Sequence, residues 1–332
     1  MRTKVEIIIE NISEHFNCCT PKSLKIIERA FRKCSVIGCS WNGFESEIAR
    51  KFGISLGEGT RAIPASVLAP SELQRSTATG IMRVEPIHLR ADPSRVTLIE
   101  GARLDIQQEE AEAIVRTLNE FFSDENITFY RGADSHRWYV EGAPQASVGE
   151  RSPSELHGSR LEPSLAEIQK SGVLKRIATE IQMILHDHET NSLRAAKGMA
   201  EINSLWFFGA GEPLGECLPE VEKILTNSSI ALNSAKFANI KSAYVSDGSD
   251  IDRVLLDEDA EDCAIICDSP KVKNLQVSFD SVAIEALIRL IELLHRGDIS
   301  CFEVWSASGR WSIGQWDRWC FWRNSFSLKE RS

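Results

Sequence analysis

The sequence predicts an α/β or α+β fold: a mixed sheet flanked by helices, with a small helical N-terminal region and a C-terminal β-hairpin. Three observations carry this. Segments with helical spacing intermingle along the chain with short β-rich runs, the pattern of helices layered on a sheet. Hydrophobic residues make up 42% and charged residues 26% of the 332 positions, which fits a folded soluble chain and excludes a disordered, collagen-like or coiled-coil one. The last elements are the clearest: a helix over 281–296, then two alternating strands around Ser306-Ala-Ser-Gly309.

Residues 1–60 read as short helices. Leu24, Ile27 and Phe31 share one face, and Glu45 to Phe52 stops at Gly53. Residues 56–80 are rich in Gly, Pro, Ser and Thr, a loop or domain boundary. Arg95 to Glu100 is strand-like. Asp105 with Gln108 gives a capping signature, after which Ile114, Leu118 and Phe121 line a helix. Ile127–Tyr130 and Trp138–Val140 suggest a hairpin, and 141–163 a long loop. Ser164 with Glu167 opens a helix striped by Val173, Ile177, Ile181 and Ile184, with Gly172 as a point of breakage. Asn203 to Phe208 is a buried strand running into Gly209-Ala-Gly211. Helix 281–296 presents Ile284, Ile288, Ile291 and Leu294 and ends at Gly297.

The net charge of −10 disfavours a broad grip on nucleic acid or an anionic membrane. The apolar run Ile7–Ile9 is fenced by Glu6 and Glu10, so no secretory core is expected, and no stretch approaches the roughly 20 apolar residues of a membrane helix. A cytoplasmic location follows as an expectation. Nine cysteines cannot all pair internally, and reduced thiols are the default there. His15, Cys18, Cys34 and Cys39 could together offer a zinc ion four soft ligands. Their spacing is looser than a zinc ribbon's, and buried free cysteine is common.

Several phrases stand in a telling order: Glu85-Pro-Ile-His-Leu-Arg-Ala-Asp92, Leu118-Asn-Glu-Phe-Phe122 and His136-Arg-Trp-Tyr139. Glu180-Ile-Gln-Met-Ile-Leu-His-Asp-His188 follows with Asn191 and Arg194, then Ile202-Asn-Ser-Leu-Trp-Phe-Phe-Gly-Ala-Gly211 and the closing Trp316–Arg323. Together they resemble the RpfE-type bacterial regulatory protein family, whose members are similar to the middle segment of archaeal-type cofactor-independent phosphoglycerate mutases. The resemblance covers roughly residues 60–325. It implies a divergent N-terminal region over 1–60 and a mutase-like α/β region over 61–330. Mutases of that kind use a Ser or Thr nucleophile and paired divalent cations held by Asp and His. Neither the early Asp and nucleophile nor a late Asp/His cluster is legible here, so the expectation is a regulatory or binding protein without a cofactor or two-metal site. Its partner would be a protein or a small anionic ligand. The alternative is a metal-dependent phosphoryl-transfer enzyme with a site built from His88, Arg90, His186 and Arg194.

The candidates weigh as follows. His186 and His188 point about 200° apart if helical and then cannot share a metal. His188, Asn191 and Arg194 share a face if the helix continues, and could bind carboxylate or phosphate through the planar guanidinium. Equally, Asn191 could end the helix, with the histidines packing on loops. His88, Arg90 and Asp92 share a strand face, where a structural ion network competes with proton transfer. Arg137, Trp138, Asn203 and Trp206 join the ligand candidates through the resemblance, which implies that the motif residues converge on one concave region or buried network. Gly209-Ala-Gly211 lacks the third glycine of a phosphate-binding loop, so a tight turn is the simpler reading. The eight acids from Asp247 to Asp262 lack calcium-loop spacing and read as a solvated loop. Trp316, Trp319, Phe321 and Trp322 with Arg318 and Arg323 could stack on bases, but core packing suits the charge and alternation better.

Overall fold

The structure, a computed structural model, describes residues 4–32, 34–38, 41–75, 79–92, 95–145, 150–159, 161, 172–247, 251, 263–269 and 280–315. The chain forms two compact units, one of Met1–Ile54 with Glu216–Ser332 and the other Ser55–Gly215. Both are mixed α/β, and each has its own core.

The first unit is built on a seven-stranded sheet in the order β2-β12-β11-β1-β10-β8-β9. Its strands are β1 (Lys4–Ile9), β2 (Ser35–Ile37), β8 (Lys223–Thr226), β9 (Lys241–Tyr244), β10 (Cys263–Cys267), β11 (Cys301–Ser306) and β12 (Gly309–Gly314). β1 is central and parallel to both β10 and β11, and β12 turns back antiparallel on β11. The helices expected near the N-terminus are present: α1 (Ile12–Cys18), α2 (Pro21–Phe31) and α3 (Phe44–Lys51). Alternation along β1 sends Val5, Ile7 and Ile9 to one face, where Ile27 and Phe31 of α2 complete a dry core. The helix Val282–Arg296, labelled α10 below, brings Ile284, Leu287, Leu290, Ile291 and Leu294 to the same core. It ends where Gly297 adopts φ +87°, a left-handed cap that a Cβ would disfavour. The opposite face carries charge. Lys51 of α3 pairs with Glu6, Lys4 with Glu303 at 2.9 Å, and Arg310 stacks on the Trp305 ring at 3.7 Å.

The second unit holds the other strands: β3 (Ile81–Asp92), β4 (Arg95–Glu100), β5 (Thr128–Arg131), β6 (Trp138–Glu141) and β7 (Ser204–Phe208). β3 is the spine. β6 runs antiparallel along Ile81–Val84 and β4 along Ile87–Asp92, while β7 lines the other edge over Arg83–Ile87. The helices are α4 (Ala65–Glu72), α5 (Gln108–Phe121), α6 (Pro153–Leu156), α7 (Gly172–His186) and α8 (Glu189–Ala196); α9 (Ser229–Phe237) and α10 belong to the first unit. Ile114 and Leu118 of α5 and Ile177, Ile181 and Leu185 of α7 pack with Val84, Phe129, Trp138 and Phe207 in one core.

Several details depart from expectation: residues 1–60 hold the strands β1 and β2 besides their helices, and α6 lies within the segment 141–163 read as a loop. The capping box of α5 is Gln107 with Glu110, not Asp105 with Gln108; Asp105 adopts φ +50° two residues before the cap. β3 also begins seven residues ahead of the His88–Asp92 run that the sequence reads as extended; Arg83 and Glu85 interrupt the apolar pattern of its first half. The expected capping box at Ser164, most of the acidic run 247–262, Cys39 and the Trp-rich stretch from Trp316 to Arg323 lie outside the described residues. Among the described residues no helix is long and apolar enough to cross a membrane.

Candidate functional site

Three motif residues act on one stretch of main chain, Ala200–Ile202, which leads into β7, and a fourth, Asn203, ties its end to Leu89. Arg194 Nε donates to the Ala200 carbonyl at 2.8 Å. His88 Nδ1 lies 2.9 Å from the Glu201 carbonyl, and since a carbonyl only accepts, that nitrogen carries the proton. Asn191 takes the Ile202 N–H on its Oδ1 and donates from Nδ2 to the carbonyls of Ile202 and Leu185, all within 2.8 Å. Asn203 exchanges two bonds with the main chain of Leu89, accepting at 2.7 Å and donating at 3.0 Å. These side chains fix where β7 meets β3.

The His188–Asn191–Arg194 face expected to offer an anion site is spent on this work. Arg194 has no exposed surface; besides Ala200 it donates to Glu110 at 2.8 Å and to the Leu104 carbonyl at 2.5 Å. Asn191 lies within α8 and does not end the helix. His188 caps that helix: Nδ1 accepts from the Thr190 N–H at 3.2 Å, so Nε2 bears the proton toward Thr117 Oγ1 at 3.1 Å. Burial disfavours its cation and holds its pKa below the usual histidine value.

The remaining candidates make their bonds elsewhere. Arg90 is two-thirds exposed and its nearest carboxylate, Asp92, is 3.8 Å away. Trp138 donates to the Ser135 carbonyl and Trp206 to the Arg151 carbonyl. Arg137 joins a buried ion network: it binds Glu72 of α4 at 2.5 Å and Asp134 at 3.0 Å. Burial opposes its charge, but Glu72 and Asp134 outweigh that and raise its pKa, keeping it cationic. In the same unit Arg83 binds Glu85 at 3.0 Å and stacks on Phe208. Burial, then Glu72, pushes the Tyr139 phenol well above its usual value. Sequence reasoning missed Arg83 and Glu72; two charges inside an otherwise apolar strand were the available signal at Arg83.

His186 ends α7 and lines an open groove of about 490 Å³ together with Gln182, Met183, Asp187, Glu201 and Asn203. Two of the motif residues, His186 and Asn203, thus lie in the lining of this groove.

The carboxyl ends of parallel strands are the usual ligand edge of such sheets. In the first unit Glu10 follows β1 and takes the Ser269 N–H at 2.9 Å, while Asn227 takes the Asp268 N–H at 3.0 Å. Both side chains staple the turn after β10. Among the described residues no group of three or more His, Cys, Asp or Glu is placed to hold a metal, so those residues do not form a two-cation cage. Of the soft-ligand set, Cys18 and Cys34 are buried, and His15 Nδ1 sits 2.6 Å from Ser281 Oγ. Ser281 also caps α10 by accepting from the Ile284 N–H, so one hydroxyl serves both the helix start and the buried imidazole. Metal analysis of the purified protein tests the set including Cys39.

His15 makes a pH prediction. Burial lowers its pKa to about 4, while an unfolded chain binds the proton near 6.5. The stabilisation is complete above pH 6.5 and is lost as pH falls from 6.5 to 4, about 3 kcal/mol in all. Denaturant titrations across that window should show a steeper decline in the wild type than in His15→Gln. Parallel curves would show that His15 titrates normally.

No family model matches the chain. A stretch of 107 residues, 32% of the chain, is 27% identical to the 2,3-bisphosphoglycerate-independent phosphoglycerate mutase of Methanosarcina mazei. The match covers 27% of that protein, so the chain spans about a quarter of this curated relative's length. Among solved structures, the cofactor-independent phosphoglycerate mutase of Thermoplasma acidophilum aligns over 95% of this chain and 89% of its own, at 14% identity and a TM-score of 0.37. The PH0037 protein of Pyrococcus horikoshii aligns over 94% and 87%, at 13% identity and a TM-score of 0.44. The chain is thus similar in sequence, over a third of its length, to a phosphoglycerate mutase.

Proposed function

We propose that this chain is a cytoplasmic regulatory or binding protein of the RpfE type, which keeps a mutase-like scaffold without mutase catalysis. One observation carries the reading: most of the motif side chains, Arg90 and His186 apart, are occupied in building the protein. Arg194, Asn191 and Asn203 spend their polar groups on backbone atoms or on a carboxylate, and Arg137 sits between two carboxylates. A fully buried Arg with each of its three nitrogens bonded inside the core, as Arg194 is, presents no face to a substrate phosphate. What remains accessible beside these motifs is the groove along α7, which suits binding more than phosphoryl transfer.

The test is phosphoglycerate interconversion by the purified chain, with Mn²⁺ added and again after chelation. No turnover above the metal-only blank is expected in either state. Turnover that needs Mn²⁺ and disappears with chelator would replace this reading with the second one, a metal-dependent phosphoryl-transfer enzyme. The similarity to the Methanosarcina mutase favours that alternative.

A further inference from the structure

The groove along α7 adjoins an unfinished strand edge. In an antiparallel ladder the N–H and C=O of one residue point to the same side, and the side alternates along the strand. β7 accompanies β3 only as far as Ile87. At Leu89 the Asn203 side chain takes the place of the next strand residue, accepting from the N–H and donating to the carbonyl. Ala91, two residues on, therefore turns its N–H and C=O to the same edge. The opposite side agrees: Val96, which faces Ala91 on β4, sends its carbonyl away from β3 to the Leu161 N–H at 3.1 Å. Ala91 is exposed, and no described strand continues along that edge.

The side chains beside this edge have a definite character. Leu89 and Met183, the latter 67% exposed, give the groove apolar contact surface. Asp187 and Glu201 line it and form no ion pair among the described residues. Arg90, the nearby cation on β3, leaves the sheet on the opposite face from Leu89 by strand alternation.

We propose that the groove and the Ala91 edge dock an extended, basic segment of a partner protein. The segment pairs in extended conformation with the Ala91 N–H and C=O, seats an apolar side chain against Met183 and Leu89, and sets a Lys or Arg between Asp187 and Glu201. The His88 and Asn191 bonds serve here as positioning contacts, holding the main chain that carries Glu201 and Asn203. The proposal rests on the binding-protein reading above and names the class of partner.

Two sets of labelled seven-residue peptides test it against the full chain by fluorescence anisotropy. One set alternates apolar residues with Lys or Arg, and the other alternates them with Asp or Glu. Members of the basic set should bind saturably, and the acidic set should not. Asp187→Lys with Glu201→Lys, both exposed positions, should weaken binding roughly tenfold or more, a change of about 1.4 kcal/mol. Ala91→Pro removes only the outward N–H and should weaken it comparably at an unchanged melting temperature. Silence of the whole basic set, or binding that survives both variants, overturns the proposal. Mutase turnover is scored separately: an active chain that still binds these peptides overturns only the function proposed above, and an inactive chain that ignores them overturns only the docking site.

Discussion

Truncation after Ser300 is expected to unfold the first unit, leaving aggregated or molten protein rather than a folded chain lacking one activity. β11 lies between β1 and β12, so its loss strips the central strand of a neighbour and exposes the edge Lys4–Ile8. Phe302, Val304, Trp311 and Ile313 are all buried in the core shared with α10. At about 1.5–3 kcal/mol each they contribute roughly 6–12 kcal/mol, comparable with the ~5–15 kcal/mol that holds a whole domain together. Differential scanning calorimetry of the full and shortened chains reads the outcome. A shortened chain that kept every cooperative transition of the full one would make the C-terminal strands an appendage.

Replacing Arg194 with Met should be the most damaging single change in the second unit. The guanidinium reaches three groups from different parts of that unit: the Leu104 carbonyl, Glu110 on α5 and the Ala200 carbonyl. Deleting it leaves two carbonyls and a partly buried carboxylate without their donor, and breaking such a pair costs about 3–5 kcal/mol. For a unit of this size the melting temperature should fall by roughly 6–20 °C. Arg194→Lys should rescue little, since one ammonium cannot donate along three fixed directions. Arg90→Ala offers the contrast: its pair with Asp92 is a 3.8 Å surface contact at two-thirds exposure, and its loss should shift stability by less than about 0.5 kcal/mol. If Arg194→Lys melted like the wild type, the residue would be free for a ligand and the architectural reading of these motifs would fail.

The same contrast separates what sequence and tertiary structure each contribute. Periodicity alone determined α10, because eight of its side chains meet one core and the repeat is strong. It also determined β4, the β5–β6 hairpin and the β11–β12 hairpin, where alternation, glycine stops and turn residues are local signals. The candidate residues were legible as a set but not in their roles. Asn191 and Arg194 do lie on one helix with His188 as its cap, yet whether such a side chain meets a ligand or a carbonyl depends on atoms six to ninety residues away, here Ala200, Ile202 and Leu104. Arg83 and Glu85 hid a strand because their charge is neutralised within the fold, by each other and by an aromatic face, and no local pattern records that. The first unit shows this most fully. β1 pairs with β10 and β11, more than 250 positions along the chain, and Asp280 and Ser281 bind Thr20, Ser23 and His15 across a similar span. Local spacing specifies which face of an element is apolar. Only three-dimensional packing decides which distant face covers it, because burial is non-directional and accepts any partner of matching shape.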